Sequence, residues 1–280
     1  MDAIKDVVVL ADGGPEDAGT IEYAARLAGV HEAHLTGAFV FPLLRAAGPD
    51  AFVAGAAIRQ LVESLDSESV RLERAAHACF ERAAGAAGVA TEWRTIRSLS
   101  SQEFVTHARY ADIAVVSRPV RGGERGCPVA LAQSLVFASG RPVILVPPRA
   151  PSTTASRVLV GWSASREATR AVADALPLLA RAHAVQLLVI DPDPRVERHG
   201  QAPGSDIARH LARHGVSVEV RVVASDGHEA ASLLLALARA FGSDLVVIGA
   251  YGHSRLSELV FGGVTRTALR EADLPVLMSR

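Results

Sequence analysis

The sequence predicts an α/β protein built from two copies of one domain. Short apolar runs rich in β-branched residues, such as residues 7–11 and 245–248, alternate with longer amphipathic runs. Runs of these two kinds are typical of buried parallel strands and the helices that connect them. The order also repeats, because residues 112–117 match residues 244–249 at an offset of 132. A repeat of alternating strands and helices indicates two α/β domains in tandem.

In the first half, Pro15 fixes the start of a helix whose apolar face includes Ile21, Ala24, Ala25 and Ala28. Five apolar runs of the first half are predicted to be strands. Two amphipathic runs are predicted to be helices, in addition to the helix that begins at Pro15. The strands are residues 7–11, 33–41, 92–96, 112–117 and 141–146; the further helices are residues 57–85 and 101–110.

Residues 42–55 have no clear period, and we expect an irregular excursion there. The helix over residues 57–85 has one apolar face. That face comprises Ile58, Leu61, Leu65, Leu72 and Ala76. The apolar residues over 42–67 could line a cavity for another ligand or form the packing face of this helix. The packing face explains them better.

The second half repeats the order after a linker at residues 147–156, which begins with two prolines. We predict domains over residues 1–148 and 157–280. The predicted strands are residues 157–162, 185–191, 216–223, 245–248 and 273–278, and the helices are residues 163–179, 206–214, 227–241 and a run ending at Ala272.

Composition excludes several classes of protein. The 280 residues are 49% apolar and 21% charged, with a formal net charge of −1, so nothing favours nucleic acid or an anionic membrane. Cys79 and Cys127 form no CxxC pattern and are interpreted as idle thiols in a reducing compartment. Because the N-terminus has no secretory pattern and the most apolar run, residues 230–241, is too short to span a bilayer, a cytoplasmic protein is expected.

Glycines follow the strand at residues 245–248. Gly249 and Gly252 come directly after it, and Gly262 and Gly263 precede an amphipathic run. Glycines allow the backbone to approach a phosphate, and free N–H groups at a helix start favour an anion. This spacing therefore predicts an anion site.

The pattern Gly-x2-Gly-x9-Gly-Gly resembles the nucleotide-binding signature of the universal stress protein family, Gly-x2-Gly-x9-Gly-Ser/Thr. Residues 162–168, Trp-Ser-Ala-Ser-Arg-Glu-Ala, are similar to the Trp-Asp/Asn-Gly-Ser-Arg-Glu-Ala common in that family. The resemblance implies two doubly wound, Rossmann-like domains, each a five-stranded parallel sheet flanked by helices. It also implies a regulatory role in stress response, ATP or AMP with Mg²⁺ as ligand, and pairing through the last strands, residues 143–146 and 276–278, within the chain or in a homodimer.

Carried over position by position, the resemblance places an adenine nucleotide in the second half. The implied site comprises Gly161, Trp162, Ser163, Ile190, Ile248, Gly249, Gly252, His253, Arg255, Gly262, Gly263, Val264 and Thr265. Two positions depart from the family. Ser163 stands where the family has an adenine-facing Asp, and Gly263 stands where it has a phosphate-binding hydroxyl. We expect these changes to weaken binding without abolishing the pocket.

The first half shows the reverse pattern. Asp12 is at the family's adenine position, but Ser117, Val120 and Ala130 stand where the second half has Gly249, Gly252 and Gly262. Side chains at these positions take the space that a phosphate needs. The first half is therefore interpreted as a partner domain, or as a site for something else.

The sequence shows no catalytic constellation. The motifs Gly-x4-Gly-Lys-Ser/Thr, Gly-x-Gly-x-x-Gly and Gly-x-Ser-x-Gly do not occur. His210 and His214 have a metal-binding spacing but no third ligand in view, so solvated side chains are expected. Two alternatives to a nucleotide sensor stay open, an interaction scaffold that binds no nucleotide and a slow ATPase that uses the same pocket.

Overall fold

The computed structural model describes residues 3–11, 13–14, 16–42, 55–98, 103–119, 127–192, 202–250 and 263–280. In the first half, the elements are β1 (Asp6–Ala11), α1 (Asp17–His31), β2 (His34–Pro42), α2 (Gly55–Ala87), β3 (Thr91–Ser98), α3 (Glu103–Ala108), β4 (Ile113–Ser117), α4 (Val129–Ala138) and β5 (Val143–Val146). In the second half, they are β6 (Arg157–Gly161), α5 (Arg166–Leu179), β7 (Ala184–Ile190), α6 (Ser205–Arg213), β8 (Val218–Val223), α7 (Ala230–Phe241), β9 (Leu245–Gly249), α8 (Gly263–Glu271) and β10 (Val276–Ser279).

The strands form one ten-stranded sheet in the order β3-β2-β1-β4-β5-β10-β9-β6-β7-β8. Neighbouring strands of the same half run parallel, as predicted. The two halves meet through β5 and β10, which are antiparallel, with Val276 opposite Leu145 and Met278 opposite Val143. Each of these short apolar strands thereby gives the other a partner, so neither leaves an unpaired edge.

Apolar residues on both faces of the central strands explain why the sheet is covered on both sides. In β1, Val7 and Val9 belong to one core layer, whereas Val8 and Leu10 belong to the other. Helices α1, α2 and α5 contribute to the first layer, and α3, α4 and α7 contribute to the second. This arrangement of helices on both faces of a mostly parallel sheet is the α/β fold that the sequence predicts.

The predicted helices are confirmed, with differences at α2 and α4. The predicted face of α1 is buried, and so is Ala76 of α2, but Leu65 of α2 is 40% exposed. A helix of 33 residues is about 50 Å long, whereas the nine-residue β2 spans about 30 Å, so the sheet cannot cover the whole helix. The side chains of Ile58 and Leu61 lie outside the described residues.

In each half, an Asp carboxylate accepts two backbone N–H groups at the start of the first strand. We call this contact the buttress. The Asp112 carboxylate accepts hydrogen bonds from the backbone N–H groups of Lys5 and Asp6, at 2.7 and 3.1 Å. Asp244, at the predicted offset of 132, accepts from Ser156 and Arg157 at 2.9 and 2.8 Å. The same carboxylate therefore fixes the same strand start in both copies.

We expect Tyr23→Phe to stabilise the protein. Tyr23 of α1 is fully buried, and its hydroxyl has no hydrogen-bond partner among the described residues. Burial raises the pKa of this phenol, so the hydroxyl stays protonated and unpaired. Removing an unpaired buried hydroxyl should increase the free energy of unfolding by about 1 kcal/mol. Urea unfolding measures this change, with Tyr110→Phe as a control because Tyr110 is exposed; lower stability of Tyr23→Phe would contradict the prediction.

Candidate functional site

The second half forms a crevice where its strand order reverses. β6 lies between β9 and β7 and runs parallel to both, with Gly161 in register with Ile248. The chain continues from β6 to β7 and β8 on one side, then crosses to β9 and β10 on the other. Ligands of open parallel sheets bind beyond the carboxyl ends of the strands at such a reversal. The turn that follows Gly161 and the end of β9 flank this position, which we call the second-half crevice.

The turn from β6 to α5 is fixed by its own hydrogen bonds. The Trp162 N–H donates to the Leu188 carbonyl at 2.8 Å, which holds the turn against β7. Ser165 caps α5, since its hydroxyl accepts from the Ala168 N–H at 3.1 Å. The Ser163 hydroxyl donates to this same Ser165 oxygen at 3.1 Å. Ser163 is therefore engaged in supporting the helix cap.

Backbone strain occurs in the same turn. Ala164 has a φ angle of 49°, in the left-handed region. This region costs a residue with a side chain about 1–2 kcal/mol, and such costs concentrate at functional sites. The strain marks this turn as a segment that the surrounding contacts hold in place.

Gly249 is explained by close packing at the end of β9. A Cβ atom there would lie 2.4 Å from both the Ala168 nitrogen and the Glu167 carbonyl carbon, in the first turn of α5. Gly161 also sits under a helix, because its Cβ would lie 2.7 Å from the Leu234 Cδ1 of α7. Both glycines are needed for packing helices onto the sheet. The approach of Gly249 to a phosphate stays a prediction.

The end of β7 contributes Ile190, half-buried, followed by Asp191. Asp191 has a φ angle of 45°, and its carboxylate accepts from the Ser225 N–H at 2.8 Å. Hydrogen bonds from Ser225 hold the pKa of this carboxyl below its usual range. Sequence reasoning missed Asp191 as a positioning residue. The signal was an Asp-Pro pair directly after a buried apolar run.

Helix α8 follows β9 in the chain and is the remaining described element of the predicted site. Gly263 and Val264 are the first residues of α8, and Thr265 is buried. The N–H groups of a first helical turn point along the helix axis, and together with the helix dipole they favour an anion. Gly252, His253, Arg255 and Gly262 lie outside the described residues, so the structure does not test their predicted contacts.

At the corresponding place in the first half, the described residues after β4 are engaged in contacts within the protein. Ser117, at the end of β4, is buried, and its hydroxyl accepts from the Cys127 N–H at 3.1 Å. Arg118 follows, and its guanidinium donates to the Arg270 carbonyl of α8. Burial lowers the pKa of Arg118. Ala130 lies in α4, whereas Asp12 and Val120 lie outside the described residues.

Over the same described ranges, no group of three or more His, Cys, Asp or Glu side chains is placed to hold a metal ion. No described helix is long and apolar enough to cross a bilayer. Cys79 is half-buried and Cys127 is buried. His210 and His214 lie together on α6, with ring centroids 4.7 Å apart.

Comparisons with known proteins agree with this architecture. Residues 154–280 match the model of the universal stress protein family. A universal stress protein from Archaeoglobus fulgidus DSM 4304 is 14% identical, with 98% of each chain covered and a TM-score of 0.69. A functionally unknown protein from Pseudomonas aeruginosa PAO1 is also 14% identical, covering 99% of this chain and 92% of its own, with a TM-score of 0.58. These two likenesses establish the fold over the whole chain.

A weaker likeness concerns a universal stress protein in complex with cAMP. It covers 53% of this chain and 100% of its own at 18% identity, with a TM-score of 0.35, which carries no argument about the ligand of this chain. No curated protein matches the sequence.

Proposed function

We propose that this chain is a member of the universal stress protein family, whose model residues 154–280 match, and that it is a stress-response regulator whose second half binds an adenine nucleotide. The observation that supports the proposal is the second-half crevice. There the carboxyl ends of β6 and β9 lie side by side, and the start of α8 follows β9. A strand-order reversal with a helix start nearby suits a phosphorylated ligand.

In this proposal, the turn after β6 and the end of β7 surround the base, and the glycine loop surrounds the phosphates. Ser163 and Ile190 would face the adenine. The loop residues Gly252 and Gly262, the cationic side chains of His253 and Arg255, and the start of α8 would face ATP or AMP, with Mg²⁺ at the phosphates.

An interaction scaffold is the second candidate, and two observations favour it. Ser163 has no carboxylate, and its hydroxyl is bound to Ser165. Gly249 is already accounted for by its packing against α5. In a scaffold, the glycines would serve only to let the helices pack against the sheet.

Pairing with a second copy through the last strands would require a rearrangement. β5 is flanked by β4 and β10, and β10 is flanked by β5 and β9. Neither strand therefore offers a free edge while the internal pair is formed. A homodimer, the cytoplasmic location and the domain limits 1–148 and 157–280 stay predictions.

Calorimetric titration of MgATP into the full chain tests the proposal. We expect about one site per chain, lost in Gly252→Val/Gly262→Val, because side chains there would block the approach of the phosphates. Ser163→Asp restores the family's carboxylate and should tighten binding about tenfold through one charge-assisted hydrogen bond.

The outcomes separate the candidates. Absence of binding at millimolar ATP, in both the natural protein and Ser163→Asp, would contradict the nucleotide proposal and favour the scaffold. Phosphate release above background that is lost in the glycine variant would instead indicate the slow ATPase.

A further inference from the structure

A second cleft lies at the opposite edge of the sheet from the second-half crevice. It has a volume of about 560 Å³, which is within the range of small-molecule sites. The end of α1, the linker and the segment between α5 and β7 form its walls. Ser156 and His183 line it and precede β6 and β7, so the cleft faces the amino ends of these strands. We call it the linker cleft.

The linker cleft is basic. Arg26 and His31 come from the first half, and Arg181 and His183 come from the second, whereas no carboxylate is among the lining residues. Arg181 is exposed, and its side chain forms no ion pair or hydrogen bond with any described residue. The cleft therefore presents a cation whose charge no described carboxylate matches.

Arg26 is only partly satisfied. Its Nη2 donates to the Pro151 carbonyl at 2.9 Å, which ties the linker to α1. Its Nη1 lies 3.9 Å from the Glu22 carboxylate, on the exposed side of the helix. The Nε is buried and has no partner among the described residues. An acceptor in the cleft would add to the contacts of this guanidinium.

His31 is a buried polar side chain that lines the same cleft. It is 7% exposed, and no described residue forms a hydrogen bond with its ring. Burial and the nearby charge of Arg181 lower the pKa of His31 to about 4, so the ring is neutral at neutral pH. Buried polar groups normally have partners. A ligand oxygen would supply one for the ring N–H.

Helix ends explain part of this basic character. α1 ends at His31 and α5 ends at Leu179, and each C-terminus carries roughly half a negative charge, which the nearby Arg181 guanidinium counters. Such a role does not explain the linker wall, which contributes the hydroxyl groups of Ser152, Thr153 and Thr154.

The linker wall is also strained. Ala155 lines the cleft, is buried and has a φ angle of 55°. Left-handed residues with side chains are found where ligands are held. A strained linker residue, hydroxyl groups and the unmatched charge of Arg181 thus converge on one cleft of ligand size.

We infer that the linker cleft binds the tetrahedral oxyanion of a small phosphorylated molecule, held between Arg26 of one half and Arg181 of the other. The linker hydroxyls donate to the remaining oxygens, and Val30 and Leu178 provide an apolar wall for the rest of the ligand. Because the two arginines come from different halves, the bound anion strengthens the contact between them. This site is separate from the proposed nucleotide site and does not depend on it.

Titration of sodium pyrophosphate into the full chain, at constant ionic strength, tests the inference. We expect one site per chain and a higher melting temperature, with binding weakened about tenfold by Arg26→Gln and by Arg181→Gln, since each removes a charge-assisted contact. Arg213→Gln is the matched control, because Arg213 is an exposed arginine in the last turn of α6. That variant should bind like the natural protein.

The glycine variant separates the two sites. Pyrophosphate binding should persist in Gly252→Val/Gly262→Val, and MgATP binding should be unchanged in Arg181→Gln. Equal affinity in Arg181→Gln and the natural protein, no binding at millimolar probe, or loss only in the glycine variant would each overturn the inference. Arg181 is exposed, so its variant remains informative if Arg26→Gln does not fold.

Discussion

Gly249→Ala is expected to lower the free energy of unfolding by about 2–3 kcal/mol, the upper part of the range for overpacking. The added Cβ would lie 2.4 Å from the backbone of Glu167 and Ala168. Backbone atoms cannot rotate aside, so the first turn of α5 would have to move off the sheet. That turn carries the Ser165 cap and borders the second-half crevice. Urea unfolding of the purified variant measures the loss.

Two other glycines serve as controls. At Gly161, the added Cβ would meet the end of the Leu234 side chain, which can rotate, so Gly161→Ala should cost less. Gly85 lies inside α2 with no atom within 4 Å of the added Cβ, so Gly85→Ala should stabilise the protein by about 0.5–1 kcal/mol. Equal losses for Gly249→Ala and Gly161→Ala would contradict the packing argument.

The sequence predicted the strands well because their signal is local. The central strands are short apolar runs whose residues are buried on both faces, and turn residues bound these runs. The edge strands β3 and β8 are largely exposed. The offset of 132 residues between Asp112 and Asp244 is also visible in sequence, and the structure shows that both carboxylates make the same backbone contacts. Apolar patterns within a short stretch of sequence, together with the repeat between the two halves, were therefore sufficient to predict the fold class.

Helix α4 was missed because its residues are apolar with almost no period. Val129–Ala138 packs in the second core layer beside α3, and such a segment shows no polar face in sequence. The internal repeat was the available signal. Shifting α8, Gly263–Glu271, back by 132 residues gives residues 131–139, which overlap α4.

The candidate site was harder to predict because its contacts join distant parts of the chain. Gly249 was chosen for a phosphate, yet the atoms closest to its missing Cβ belong to Glu167 and Ala168. The linker cleft was not predicted at all, since Arg26 and Arg181 come together only after both halves fold around the linker. No spacing rule within one window relates such residues.

The buttress formed by Asp244 leads to the second large expected effect. Asp244 is 5% exposed, and both carboxylate oxygens accept backbone N–H groups, Oδ2 from Ser156 and Oδ1 from Arg157. Asp244→Ala would leave two N–H groups without these partners in a part-buried region. We expect a loss of about 3 kcal/mol in the free energy of unfolding, because hydrogen bonds to a charged group contribute about 1.5–3 kcal/mol each and are not fully additive.

Asp112→Ala is the matched control within the same chain. Asp112 accepts the same pair of N–H groups at the start of β1, but through a single oxygen, and its side chain is 41% exposed. Water can replace the lost carboxylate there, so the expected loss is only about 1 kcal/mol. Chemical unfolding of both variants gives the comparison. The Asp112 contact differs from the Asp244 contact in its greater solvent access and its single accepting oxygen. A loss for Asp112→Ala that equals or exceeds the loss for Asp244→Ala would therefore contradict the argument.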